Sequence, residues 1–128
     1  MHKISAALFS VILMLSGALQ AATWSPPTRI DSIQVMDSIG IVRLEVLRNN
    51  PVFNPANCTD LDFVDIQLGA PGRSDVEQRQ MLNQINMAFI TRRQIEFLML
   101  DDAADPASCS TVGTSNSIRI ATGTRVHY

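Results

Sequence analysis

The chain begins with the three regions of a secretory signal peptide in their usual order. A weakly basic start is followed by a ten-residue run over positions 6–15 in which only Ser10 is polar, and then by small residues at positions 18–22. The run is too short for a membrane span, which needs about 20 apolar residues. The pattern predicts export, and the compartment constrains how every later residue is interpreted.

We expect the signal to comprise residues 1–21, with cleavage after Ala21 preferred and cleavage after Ala22 as the alternative. Residues 22–128 are then enough for a single small domain. The predicted location is the periplasm or the exterior, with no membrane span after cleavage.

Export changes the interpretation of the two cysteines, Cys58 and Cys109. An even number of cysteines in an oxidising compartment favours a disulfide bond. Closing a loop of about 50 residues stabilises a fold by roughly 4 kcal/mol in the chain-entropy model. A metal site or a reactive thiol is the alternative, but the sequence has no C-x-x-C pair and only one histidine, His127, after residue 21.

Composition excludes two classes of protein. With 46% hydrophobic and 17% charged residues, the chain is not intrinsically disordered. After residue 21 it contains nine arginines, no lysine and 12 acidic residues. Nucleic-acid binding needs a basic patch, and no interleaving of arginine with aromatic residues is visible. We therefore predict no nucleic-acid partner, and no motif indicates a cofactor.

Alternating and apolar segments predict five strands. Alternation is clearest over residues 42–46, where one face is apolar and the other charged. The strands are separated by a predicted turn at Asp37 to Gly40 and by two Asn-Pro pairs between residues 48 and 58. The five predicted strands cover residues 33–35, 42–46, 64–68, 95–100 and 117–122.

A helix is predicted between the third and fourth strands. Ser74 and Glu77 form an S-x-x-E capping box. Arg92 and Arg93 are expected in the last turn, where positive charge complements the helix dipole. The predicted core face consists of Met81, Leu82, Ile85, Ala88 and Phe89.

The order β-β-β-α-β-β predicts a mainly β, α+β domain with the layout of a five-stranded OB-fold barrel. In that barrel the third and fifth strands are parallel neighbours. Cys58 precedes the third strand and Cys109 precedes the fifth, so the proposed bridge is consistent with the topology. A ferredoxin-like fold fits less well, because it needs a helix after the first strand.

The signal, Trp24 near the mature N-terminus, the five strands, the helix and the cysteine pair together resemble the B subunits of AB-type bacterial toxins. That resemblance implies a small exported OB-fold chain that forms rings, usually of five, and binds cell-surface glycans. The chain carries no glycan-binding motif from which residues can be assigned. It is also similar to small exported bacterial proteins of no assigned role, and fold alone does not give function.

Few residues indicate catalysis. His127 lies one residue from the C-terminus, where fraying is expected, and no G-x-S-x-G or S-x-x-K motif is present. Two acidic clusters could supply paired carboxylates. The cluster after the fourth strand lacks the calcium-binding D-x-D-x-D-G ladder. In the other cluster, Asp60 and Asp62 share one side and Asp65 lies on the other if the strand begins at residue 60. We interpret both clusters as solvated loop charge: Asp60, Asp62 and Asp65, and Asp101, Asp102 and Asp105.

The helix carries a second apolar patch opposite its core face. Val76, Met87 and Ile90 lie there, with Asn83 between them. The rest of the helix surface is rich in uncharged amides, whereas a monomer usually exposes charge there. Scattered exposed apolar residues are one explanation. The other is a partner that covers this face, which leads to the hypothesis of a homo-oligomer, such as a pentamer.

Three functions remain open. The first is a non-catalytic binding module for a glycan or a protein partner, as a toxin-B-like subunit. The second is a structural or inhibitory envelope protein with no small-molecule ligand. The third is a carboxylate-dependent hydrolase, which the shortage of histidine, lysine and aromatic residues disfavours.

Overall fold

The structure is a computed structural model that describes residues 22–48, 52–102, 104–105, 107–110 and 118–127. The predicted signal and its cleavage sites up to Ala21 lie outside the described residues, as does Ser117. The described part forms one sheet, one helix and a short 3-10 turn at Asp37–Ile39. The elements are β1 (Ala22–Trp24), β2 (Ile30–Met36), β3 (Ile41–Val46), β4 (Phe63–Gln67), α1 (Asp75–Thr91), β5 (Ile95–Leu100), β6 (Cys109–Ser110) and β7 (Ile118–Val126).

The strand order across the sheet is β1-β5-β7-β4-β3-β2, and β6 pairs with β7. Strands β2, β3 and β4 form an antiparallel meander, while β4 and β7 run parallel. The two edge strands β1 and β2 are not paired with each other, so the sheet is open. A mainly β fold with one helix is therefore confirmed.

The strand count differs from the five predicted. The two additional strands are β1, which ends at Trp24, and β6, which begins at Cys109. Both additional strands have only two or three residues and are held by backbone pairing. Strands this short leave no period-2 pattern in the sequence.

Strand β7 continues through Gly123 to Val126, beyond the predicted end of the fifth strand at residue 122. A Cβ atom at Gly123 would lie 3.3 Å from the Cβ of Leu98 and 3.7 Å from the Trp24 ring. The glycine therefore allows these two side chains to pack closely across β7, and it does not end the strand.

Helix α1 begins as predicted. Ser74 is the N-cap, and its hydroxyl accepts a hydrogen bond from the Glu77 amide at 3.1 Å. The other end was predicted wrongly. Arg92 is the C-cap in a left-handed conformation (φ 55°), so it and Arg93 follow the helix instead of forming its last turn.

The main core lies between α1 and one face of the sheet. Of the five residues predicted to face it, Met81, Ile85 and Ala88 are buried and Leu82 is partly buried. Phe89 remains 38% exposed, because it lies on the flank of the helix beside β2. Cross-strand neighbours of β3 and β4 and the Phe97 ring complete this core.

The opposite face of β3, β4 and β7 is also buried. Arg43, Asp65 and Ile120 are cross-strand neighbours there and are at most 6% exposed. The predicted charged face of β3 is thus only partly solvated, since Glu45 is exposed but Arg43 is not. The disulfide between Cys58 and Cys109 is present, as predicted.

Candidate functional site

The predicted interface residues on α1 are exposed. The relative accessibility of Ile90 is 77%, that of Val76 58% and that of Met87 48%, and Asn83 is also exposed. The helix presents them away from the core that Met81, Ile85 and Ala88 enter. The exposed face therefore combines three large apolar side chains with an amide.

The first acidic cluster does not act as one unit. Asp65 is completely buried and accepts two hydrogen bonds from Arg43, at 2.8 and 2.9 Å. The hydrogen bond with Asp65 raises the pKa of Arg43. Asp62 pairs with Arg48 at the surface, and Asp60 accepts hydrogen bonds from the backbone amides of residues 62 and 63. Solvated loop charge is therefore the wrong description of Asp65.

The second acidic cluster builds turns. The Asp102 carboxylate accepts a hydrogen bond from the amide of residue 104 at 2.9 Å, and that of Asp105 accepts one from residue 107 at 2.8 Å. Asp101 and Asp102 are exposed. These carboxylates stabilise local backbone geometry, which is the ordinary role of aspartate in turns.

Arg119 is a buried cation on β7 that the sequence analysis did not single out. Its guanidinium donates to the carbonyl oxygens of Phe53, Leu61 and Phe63, at 2.7 to 3.3 Å. Its Nε has no hydrogen-bond partner within the described part of the chain. Burial lowers the pKa of Arg119. This side chain organises the loop between β3 and β4.

A cluster of polar side chains lies on β5 and β7. Glu96 is 8% exposed and accepts hydrogen bonds from Arg125 Nε and from His127 Nε2, the latter at 3.1 Å. The hydrogen bond from Arg125, assisted by His127, holds the pKa of Glu96 below its usual value. The Arg125 guanidinium also stacks on the Trp24 ring, 4.3 Å from its centroid.

The contacts of His127 show that the expectation of fraying at this residue is wrong. The His127 amide donates to the Gln94 carbonyl at 2.9 Å, and the side chain meets Glu96. The sequence could not reveal the contact, because Glu96 and His127 meet only through the register of β5 with β7. Glu96, Arg125 and His127 thus form a network of bound polar side chains at the surface.

A concave site lies between the start of α1 and β7. It is a cleft of about 320 Å³. Its apolar surface comes from Ala70, Pro71, Ala107 and the buried Ile120, and Gly72 and four polar side chains line the remainder. The polar lining residues are Gln67, Arg73, Glu77 and Thr122.

Local backbone geometry places Arg73 in this cleft. Gly72 adopts φ 81°, which turns the chain toward the N-cap of α1. Arg73 Nη1 then donates to the Gln67 carbonyl at 2.6 Å, which fixes the guanidinium beside β4. Burial lowers the pKa of Arg73, but an arginine stays cationic at neutral pH.

A shallower extension continues along α1. It measures about 220 Å³ and shares Glu77 and Thr122 with the cleft. The Thr124 hydroxyl hydrogen-bonds the Gln84 side chain there at 2.7 Å. The amides of the helix are evident in the sequence, but their position beside threonines of the last strand depends on how α1 packs against β7.

The described residues contain no group of three or more His, Cys, Asp or Glu side chains placed to hold a metal ion. In the same part of the chain, no helix combines the length and hydrophobicity required to cross a membrane. No family model, curated protein or solved structure matches the chain.

Proposed function

We propose that residues 22–128 form an exported, non-catalytic binding module that recognises a glycan in the cleft between α1 and β7. The observation that carries the proposal is the combination of an apolar surface with uncharged amides and hydroxyls and a single pair of opposite charges. Concave sites with a few convergent polar groups are the usual places for ligands.

The chemistry of the lining selects the ligand class. A sugar presents hydroxyl groups, which both donate and accept hydrogen bonds, beside faces of C–H groups. Glutamine amides and threonine hydroxyls also do both, while Arg73 donates and Glu77 accepts. Because one cation is balanced by one anion, the lining favours a neutral ligand over a phosphorylated one. Ile120 and Pro71 offer surface for the C–H faces.

Glycan-array screening of residues 22–128, followed by calorimetry on the best binder, tests this proposal. We expect Arg73→Gln and Glu77→Gln each to weaken binding by roughly tenfold to a hundredfold, because hydrogen bonds to charged groups contribute about 1.5–3 kcal/mol. The matched controls are Arg29→Gln and Glu45→Gln, which are exposed and lie outside the cleft.

Two outcomes contradict the glycan proposal. One is an array without binders, and the other is a binder whose affinity the cleft variants leave unchanged. Absence of binders together with recovery of an envelope protein on purification would favour the structural or inhibitory alternative. A companion exported chain encoded beside this one would support a toxin-B-like assembly.

We also propose that the sheet curls into an OB-type barrel. The β2-β3-β4 meander, the helix between β4 and β5, and the parallel pairing of β4 with β7 support this topology. Thr28 lies in the segment between β1 and β2. Its amide donates to the Ile95 carbonyl of β5 at 2.9 Å, and the Ile95 amide donates to the Thr28 carbonyl at 2.8 Å. That bridge places the segment leading into β2 against β5, while β2 itself pairs with β3. Slow amide exchange at Thr28 and Ile95 by NMR is the expected result, and fast exchange at both contradicts it.

A further inference from the structure

The exposed face of α1 has the spacing of a helix-pairing seam. Residues recur at alternating intervals of four and three positions, as in the a and d positions of a coiled coil. All of them are exposed. We call this set the α1 seam: Val76, Gln80, Asn83, Met87 and Ile90.

The two ends of the α1 seam have matching apolar chemistry. Asn83 lies in the middle, and Val76 and Ile90 lie seven residues before and after it. When two such helices pair antiparallel about Asn83, each Val76 meets an Ile90 and the two Asn83 amides meet each other. A buried asparagine in a helix-pairing seam favours one register and one oligomeric state.

Charge at the helix ends distinguishes the two directions of pairing. Asp75 begins α1, and Arg92 directly follows its last residue. Antiparallel pairing places the Asp75 of one copy near the Arg92 of the other. Parallel pairing places like charges together at both ends, which is destabilising.

A cleft at the end of the seam also fits this arrangement. It measures about 340 Å³ and is lined by Ile30, Asp31, Phe89, Ile90 and Arg92. In the antiparallel pair, the first turn of the partner helix, with its Val76 and Asp75, lies over this cleft. The partly exposed Phe89 gains an apolar neighbour there.

We propose that two copies of this chain associate as a two-fold dimer in which their α1 helices pack antiparallel through the α1 seam. The occupant of the exposed helix face is thus a second copy, whose seam has the complementary pattern. The helix has 17 residues and is about 25 Å long, so a single pair of helices makes a small interface. Association is accordingly expected to be weak and concentration-dependent.

Sedimentation from low to hundreds of micromolar protein tests the dimer. We expect Ile90→Glu to raise the dissociation constant by roughly tenfold or more, because the carboxylate is buried on pairing. Val35→Glu is the matched control, since Val35 is also exposed, at 60%, but lies on β2. Unchanged circular dichroism and unfolding midpoints show that both variants fold.

Cysteine cross-linking tests the direction of pairing. The described chain has no free cysteine, so an introduced one reports contacts between copies. Antiparallel pairing predicts that Asn83→Cys forms a covalent dimer, that Val76→Cys alone does not, and that mixed Val76→Cys and Ile90→Cys proteins do.

Three results overturn the proposal. They are a wild-type chain that stays monomeric throughout the concentration range, a dimer disrupted by Val35→Glu but not by Ile90→Glu, and cross-linking of Val76→Cys as efficient as that of Asn83→Cys. A five-membered ring in the sedimentation data also overturns the two-fold arrangement. None of these measurements depends on glycan binding, so the two proposals are tested separately.

Discussion

Two regions around the sheet are held in place in different ways. On the helix side, apolar side chains of α1 such as Ile85 share a core with residues of β3, β4 and β5, and the backbone hydrogen bonds of α1 are internal to the helix. On the disulfide side, the irregular loop between β3 and β4 is joined to the short strand β6 by the disulfide. A buried ion pair, Arg43 with Asp65, links β3 and β4 on the sheet face opposite the helix.

The difference follows from the hydrogen-bonding needs of the backbone. A helix satisfies its own amides and carbonyls, so apolar burial is enough to hold it in place. Irregular segments need side chains for this purpose: Arg119 donates to three carbonyls, and Asn54 both donates to and accepts from the backbone of Cys58. The disulfide side therefore depends on specific polar and covalent contacts, and the helix side depends on packing.

The largest expected effect comes from the buried ion pair. Asp65→Ala removes the carboxylate that meets Arg43 in two hydrogen bonds, and it should lower the free energy of unfolding by about 3–5 kcal/mol. Urea denaturation measures the loss. Asp62→Ala, which breaks the exposed pair with Arg48, should have a much smaller effect. Equal effects of the two substitutions would contradict the distinction between the buried and exposed pairs.

Removal of the disulfide should come next. Cys58→Ala with Cys109→Ala is expected to cost about 2–4 kcal/mol in unfolding experiments. Hydrogen exchange should accelerate more at the amides of residues 53–62 than within α1, because only the first segment depends on the bridge. A uniform acceleration in both regions would show that the two sides are not stabilised independently.

The helix side should respond less to loss of its polar cap. Ser74→Ala removes the hydroxyl that accepts from the Glu77 amide, and it should cost about 1 kcal/mol. Thermal unfolding beside Ser38→Ala, an exposed serine of the 3-10 turn, provides the comparison. A loss as large as that of the disulfide variant would show that α1 depends on its cap more than on packing.

The smallest effect concerns pH. The folded pKa of Glu96 lies below its usual 4.5, mainly because Arg125 donates to it. The unfolded chain therefore binds more protons in the acid range, and this contribution to stability is present above the unfolded pKa and lost as pH falls through the folded one. Glu96→Gln should flatten the rise of the urea midpoint between about pH 3 and 5. An unchanged slope in the variant would contradict the assignment.

The sequence predicted the parts of the fold that local patterns encode. The capping box and helical spacing located α1, alternation located β3 and β4, and the expected compartment indicated the disulfide. It missed the burial of Asp65, because alternation identifies a polar face but not what covers it. It also missed the cleft, since Arg73 and Thr122 come together only when α1 packs beside β7.

The position of Arg119 has a consequence for the order of folding. The carbonyls that its guanidinium binds precede it by 56 to 66 residues, so the β3–β4 loop acquires these contacts only after most of the chain is present. Contacts this distant in sequence slow folding. Cys58 lies in that loop and must await Cys109, 51 residues later. The meander of β2, β3 and β4 can therefore form first, while the segment that carries Cys58 becomes ordered among the last parts of the molecule.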